Sequence, residues 1–189
     1  MRKLIFQQFI SLDGFAADKN NGTGFFADPK WAAGSDKDLL DEMQRFDTIL
    51  LGASTYKMFV EFWPDADPVT EIVAGTLNSI PKVVFSSTLE SAPWGKWEPA
   101  RIVHTDAVEE IRRLKQQPGK DLVLWGSISL SQAIMEAGLI DEYQFRIMPL
   151  FLGEGRPQFG KQQQQPLSLT HSRTYPSGLL VAHYVPAAK

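Results

Sequence analysis

Residues 121–145, DLVLWGSISLSQAIMEAGLIDEYQF, decide the fold of this 189-residue chain. Asp121 to Trp125 is a short apolar run of the kind that suits a strand covered on both faces. It stops at Gly126, where a missing Cβ lets the chain turn sharply or lets a ligand approach the backbone. Ser127, Ile128 and Ser129 lead into a helix whose apolar side carries Leu130, Ala133, Ile134 and Ala137, with either serine placed to cap its first turn. Gly138 and Asp141 break that helix, and a strand of Tyr143, Phe145 and Ile147 follows. A strand that runs into a helix through Gly and Ser presents unpaired N–H groups and hydroxyls, which suits a phosphate. An ordinary capped crossover has the same pattern, so this stretch by itself leaves both readings open.

Working outward, the same unit occurs a second time. Asp47 to Leu51 is a buried-type strand closed by Gly52-Ala53-Ser54-Thr55, and Tyr56, Phe59, Val60 and Phe62 then describe a short helix that stops near Pro64. Two such units point to an anion site split between them. Upstream, Lys3 to Ser11 reads as a central strand, residues 12–17 as a turn, and residues 18–24 (DKNNGTG) as a flexible loop. Phe25, Phe26 and Trp31 need cover, either from their own core or as the wall of a pocket. A helix begins at Ser35, with Leu39, Leu40, Met43 and Phe46 at helical spacing, Ser35 or Asp36 as its cap and an acidic first turn that suits the helix dipole.

Between the two units, residues 65–79 give no clear pattern. Residues 81–87 form a strand ending in Ser86 and Ser87, residues 93–98 read as surface loop, and residues 101–104 as a brief strand. Ala107 to Gln117 is a helix with Val108, Ile111 and Leu114 inward and Arg112, Arg113 and Lys115 on a solvated face, stopped by Pro118-Gly119. Strands alternating with helices imply parallel members joined by right-handed crossovers. After a Gly/Pro-rich loop at 152–157 and a short glutamine run at 162–165, residues 167–175 and 179–185 form an antiparallel hairpin across Pro176-Ser177-Gly178. The expectation is one domain over residues 1–189.

A formal charge of -3 and the lack of a large Lys/Arg cluster argue against a nucleic-acid surface. With no cysteine there is no disulfide framework and no thiolate site, which fits a reducing compartment. No stretch is apolar enough to span a bilayer, and the chain is expected to be cytoplasmic. His104, His171 and His183 are too scattered in sequence to indicate a metal site, so none is expected.

SLDGFAA at 11–17, ILLGASTY at 49–56, VVFSST at 83–88, VLWGSISL at 123–130, GLIDEYQFRIMPLFLGEG at 138–155 and the final hairpin together resemble the dihydrofolate reductase-like fold. The likeness is closer to the C-terminal reductase domain of the bifunctional riboflavin-biosynthesis deaminase-reductase than to dihydrofolate reductase itself. It covers nearly the whole chain in order. The resemblance implies a three-layer α/β/α fold with a mixed, mostly parallel central sheet and a C-terminal antiparallel hairpin.

It further implies an NADPH-dependent oxidoreductase acting on a small nitrogen heterocycle. The leading substrate is 5-amino-6-(5-phosphoribosylamino)uracil, with a dihydrofolate or pterin reductase and a non-catalytic nucleotide-binding protein as alternatives. Carried onto this chain, Gly52, Ala53, Ser54 and Thr55 sit at the pyrophosphate and adenosine side, and Ser86 and Ser87 at the adenosine ribose. Gly126, Ser127, Ile128, Ser129 and Leu130 form the second phosphate turn, and Ile10, Asp13 and Gly14 approach the nicotinamide and the flap. The catalytic carboxylates are Asp36, counted back from Gly52, with Asp38 next, and Asp13. Family members carry arginine where this chain has Ala53, which leaves NADH open beside NADPH unless Lys57 or Lys82 substitutes. The substrate phosphate would need cations such as Lys30 with Arg146 or Arg156. Dihydrofolate reductase has a cis Gly-Gly bond where this chain has Trp125-Gly126, and the isomer here stays open. Related reductase domains pair, so a homodimer is expected through a sheet edge or the apolar 143–152 region.

Overall fold

The computed structural model describes residues 1–32, 34–160 and 164–187; Gln162 and Gln163 of the glutamine run lie outside them, as do the last two residues of the expected domain. The chain runs β1 (Leu4–Ser11), β2 (Phe15–Ala17), α1 (Pro29–Ala32), α2 (Ser35–Met43), β3 (Phe46–Gly52), α3 (Ala53–Val60), a 3-10 turn (Trp63–Asp65) and α4 (Ala74–Ser79). It continues with β4 (Lys82–Phe85), β5 (Arg101–Val103), α5 (Ala107–Gln116), β6 (Asp121–Trp125), α6 (Ile128–Glu136), β7 (Glu142–Met148), β8 (Arg156–Pro157), β9 (Leu167–Thr174) and β10 (Leu180–Pro186). Eight strands make one sheet in the order β5-β4-β3-β6-β1-β7-β10-β9. From β5 to β7 every pairing is parallel; β10 runs antiparallel to both β7 and β9. This is the three-layer, mixed and mostly parallel arrangement that the resemblance implies.

The alternation of side chains along each strand builds the two cores. In β6, Leu122 and Leu124 join Leu4, Phe6 and Leu50 under α5 and α6, where Ile111 and Ile134 are buried. Val123 and Trp125 point the other way and join Ile5, Ile49 and Leu51 under α2, α3 and α4, with Met43, Tyr56 and Leu77. Strands clad on both faces therefore read as near-continuous apolar runs. A third cluster under the hairpin holds Trp31, Met148, Tyr175, Leu179 and Val181, with Phe25 and Phe26 packed on it.

Several expectations change. Residues 93–98 are not plain surface loop, because Trp94 is fully buried and its indole N–H donates to Asn78 Oδ1 at 2.7 Å. The patternless stretch 65–79 holds α4, whose buried Leu77 joins Trp94 in the same core cluster. Lys115 leaves the solvated face: it is buried, and its Nζ donates to Leu139 O at 2.8 Å and Asp141 Oδ2 at 2.5 Å. In α6 the buried positions are Ser131, Ile134 and Met135, while Ala133 is exposed. The N-cap of α2 is Gly34, in the left-handed region with no side-chain cap bond, so neither Ser35 nor Asp36 fills that place. Strand β7 lies between β1 and β10, so residues 143–148 offer no free strand edge for pairing with a second copy.

Candidate functional site

Because β3 and β6 are parallel neighbours, their C-terminal ends lie side by side and the two helices that follow start together. Ser127 joins them. Its Oγ accepts from Gly52 N at 2.6 Å and donates to Thr55 Oγ1 at 2.8 Å. Ser127 is thus occupied sideways and does not cap α6, and no side chain caps α3 either. The first-turn amides at Ala53, Ser54 and Thr55, and at Ile128, Ser129 and Leu130, have no intrahelical acceptor by helix geometry. Two uncapped starts side by side offer unpaired N–H groups of the kind that can hold an anion.

The glycines are dictated by this close approach. A Cβ on Gly52 would lie 2.8 Å from Ser127 Oγ, and one on Gly126 would lie 3.3 Å from Thr55 Oγ1. Gly126 has φ 56, and Ser127 has φ 62 and ψ 73, a left-handed conformation that costs a non-glycine residue roughly 1–2 kcal/mol. Its two hydrogen bonds offset that strain. Every peptide bond among the described residues is trans, Trp125-Gly126 included. At the end of β4, Ser86 Oγ accepts from Thr88 N at 3.2 Å and Leu89 N at 3.0 Å, and Ser87 is exposed.

The end of β1 supplies the third edge. Ile10 and Ser11 are buried, and Gly14 turns the chain with φ 84. Asp13 faces the neighbouring loop: it accepts from Ser11 Oγ at 2.5 Å, Leu152 N at 3.2 Å and Gly153 N at 2.8 Å. The Ser11 hydroxyl and the two amides hold its carboxyl below the usual range. In this geometry Asp13 braces the 150–153 loop against the turn.

Helix α2 carries the other carboxylates. Asp36, in its first turn, is half-buried; burial first and Glu71 second push its carboxyl up, against the pull of Arg146. Asp38 accepts from Arg173 Nη1 at 2.6 Å and from the Tyr175 hydroxyl, and so ties α2 to the hairpin. Burial and that carboxylate push the tyrosine up to about 12. Glu42 takes Arg146 Nη2 at 3.2 Å and Gln7 Nε2 at 2.9 Å. Burial alone would raise Glu42, but His183 and Arg146 outweigh it and the carboxyl is lowered. A cleft of about 340 Å³ opens beside α2 among Asp38, Glu42, His171, Arg173, Tyr175 and His183; neither glycine turn lines it.

The family model for the RibD C-terminal domain matches residues 2–181 of this sequence. The chain belongs to that family. A relative from Bacillus subtilis (strain 168), the uncharacterized protein YyaP, is 33% identical over 187 residues, 97% of this chain and 94% of its own. Among solved structures, a putative riboflavin biosynthesis protein from Shewanella sp. PV-4 superposes with a TM-score of 0.75 at 24% identity, covering 98% of this chain and 99% of that one. The diaminohydroxyphosphoribosylaminopyrimidine deaminase/5-amino-6-(5-phosphoribosylamino)uracil reductase of Thermotoga maritima gives 0.68 at 13% identity, over 98% of this chain and 57% of that one.

Within this RibD-type domain the cations named from sequence are mostly committed. Lys82 is buried, with Nζ donating to Asn78 O at 2.5 Å and lying 4.6 Å from the Trp94 ring centroid, so it cannot reach a coenzyme phosphate. Lys57 is exposed on α3. Lys30 pairs with Asp28 at 2.9 Å over the Trp31 ring, and Arg156 is exposed on β8. Trp31, Phe25 and Phe26 pack together in the hairpin cluster, which gives those aromatics the cover the sequence required. Sequence reasoning missed the buried polar set Gln7, Gln144, Glu142 and His183. The alternation of Glu142, Gln144 and Arg146 with Tyr143, Phe145 and Ile147 was its signal.

Proposed function

We propose that this RibD-type domain, one reductase unit spanning the chain, is an NADPH-dependent oxidoreductase that reduces a small nitrogen heterocycle. The observation that carries the reading is the Ser127 bridge, which holds two uncapped helix starts together over a glycine-lined gap. The residues fit a dinucleotide: amides of both starts would hold the diphosphate, and the exposed Ser54, Ser87 and Lys57 would flank the adenosine side. When bound, a reduced nicotinamide supplies the hydride, which asks little of side chains beyond distance and exclusion of water.

The proton is the chain's task. Asp36, half-buried on α2 with its carboxyl pushed up, is the proposed proton donor to the atom bonded to the carbon that takes the hydride: the sugar ring oxygen released when the ribosylamino group is reduced at its anomeric carbon, or the ring nitrogen of a dihydropterin C=N bond. Its protonated form persists to a pH at which a solvated aspartate has already ionised. The leading substrate is 5-amino-6-(5-phosphoribosylamino)uracil, supported by the family and by the activity named for the Thermotoga relative. A dihydropterin is the second reading, favoured by the same placement of a raised carboxyl on the helix before the first glycine turn. NADPH leads over NADH, with the exposed Lys57 of α3 as the candidate cation for the extra phosphate. The chain is proposed to act in the cytoplasm as a homodimer, joined through the open edge of β9.

The test is oxidation of NADPH, followed at 340 nm, with the ribosylaminopyrimidine, dihydrofolate and dihydrobiopterin as separate substrates. Turnover of the first supports the leading reading, and turnover of only the pterins replaces it with the second. Tight coenzyme binding with no turnover of any ring leaves a nucleotide-binding protein of the same fold.

A further inference from the structure

One row of side chains crosses five strands on the α2 face. Strand register places Trp125 of β6 beside Gln7 of β1, Gln7 beside Gln144 of β7, Gln144 beside His183 of β10, and His183 beside His171 of β9. Gln7 is its hub. The Trp125 indole N–H donates to Gln7 Oε1, while Gln7 Nε2 donates to Gln144 Oε1 at 2.5 Å and to Glu42 Oε2 at 2.9 Å. Gln144 Nε2 passes on to Glu142 Oε1 at 2.5 Å. Gln7 and Gln144 are buried, so each of these groups depends on its partner rather than on water.

The two ends of this hub matter for the site. Trp125 immediately precedes Gly126 and Ser127, and Gly126 N also donates to Gln7 O at 3.4 Å. Glu42 hangs from α2, the helix whose first turn carries Asp36. We infer that Gln7 is a positioning residue that fixes the second dinucleotide turn relative to the helix bearing the proton donor. The inference rests on the reductase reading above. An amide suits this place because it accepts at one end and donates twice at the other; a carboxylate or a hydrocarbon of the same length does not.

Replacement by glutamate gives a readout that packing alone would not produce. A protonated carboxyl accepts from Trp125 and donates once, to Glu42, and so keeps two of the amide's three bonds; an ionised one meets Glu42 as a like charge. The charged and titratable groups around that position are Glu42 on α2, Glu142 and Arg146 on β7, His183 on β10 and Arg45 after α2. The experiment is NADPH titration by nicotinamide fluorescence on wild type, Gln7→Met and Gln7→Glu at pH 5.5 and pH 8, with thermal midpoints recorded alongside. Gln7→Met is expected to weaken NADPH binding by about tenfold at both pH values. Gln7→Glu is expected to bind about tenfold more weakly at pH 8 than at pH 5.5. If both variants bind within twofold of wild type at both pH values, the row serves folding alone and the inference is overturned. If wild type binds neither NADPH nor NADH, the reductase reading falls and takes this inference with it.

Discussion

Ser127 Oγ sits 2.6 Å from the Gly52 amide, seventy-five residues away in sequence, and this one contact ties together the two crossovers of the sheet. Two parallel strands that are neighbours in space end at the same height, so the loops after them must either repel or interlock. Here they interlock, because Gly52 offers an N–H with no side chain in the way and Ser127 adopts the left-handed turn that aims its hydroxyl sideways. The Thr55 hydroxyl completes the bridge at 2.8 Å.

Removing the hydroxyl strips Gly52 N of its acceptor and leaves a strained alanine. Ser127→Ala should lower the unfolding free energy by about 1–2 kcal/mol. Ser127→Gly loses the same bonds but relieves the left-handed strain, so it should be the more stable of the two variants. Urea unfolding of the pair checks this order, and a glycine variant less stable than the alanine variant would contradict the strain argument.

At Gly52 the added methyl has no room. Gly52→Ala would place a Cβ 2.8 Å from Ser127 Oγ, so the two helix starts must separate. A loss of at least tenfold in coenzyme affinity is expected, with Ser54→Ala, at an exposed position, much less affected. Isothermal titration of both variants with NADPH makes the comparison.

Asp36 predicts a pH profile. Its carboxyl is pushed up by burial and by Glu71, so the protonated form lasts further toward neutral pH. The value of kcat/KM should be level at low pH and fall as pH rises through that raised value; Asp36→Asn should lose this limb and about a hundredfold in kcat. The same shift has a stability sign. A carboxyl raised in the folded state stabilises the fold below its unfolded value, and this is lost as pH rises through the folded one. Wild type should therefore gain less stability than Asp36→Asn on going from pH 4 to pH 7.

Lys82 gives the opposite case. Burial lowers its ammonium to about 7, while the unfolded chain keeps the ordinary value of 10.5. Between those values the unfolded state holds the extra proton, so this residue makes stability rise with pH across that window. The Asn78 carbonyl and the Trp94 ring both favour the charged form and reduce the size of the effect. The slope of unfolding free energy between pH 7 and pH 9 should be more positive in wild type than in Lys82→Met, and equal slopes would show that Lys82 stays charged.

Most of the frame was legible in the sequence. Apolar runs closed by Gly52 and Gly126 named the two strands and the helices after them, because a strand buried on both faces has no polar side to obscure it. What escaped was set by contacts between distant segments. The Trp94–Asn78 bond turns an apparent loop into core, and Lys115 is drawn inward by Asp141 across the fold. Ser127 looked like a cap because its position fits one, and only the approach of Gly52 redirects the hydroxyl. The polar row through Gln7 was hidden for a similar reason: a glutamine in an apolar strand carries no mark of its partners.

The open edge of β9 predicts association. All its residues are exposed, among them Leu167 and Leu169 at 40% and 55%, and such an edge invites pairing with a second copy. Light scattering at high concentration should give twice the chain mass of 21.2 kDa, and Leu169→Lys should return it to a single chain. A single-chain mass for wild type would contradict the pairing.

The most direct measurement is a fluorescence titration of the purified chain with NADPH and NADH, repeated on Ser127→Asp. Saturable binding at roughly micromolar concentration, tighter for NADPH and abolished by a carboxylate set against the diphosphate, is the predicted result. Failure of wild type to bind either coenzyme, or undiminished binding by the aspartate variant, would contradict a site built on the joined helix starts.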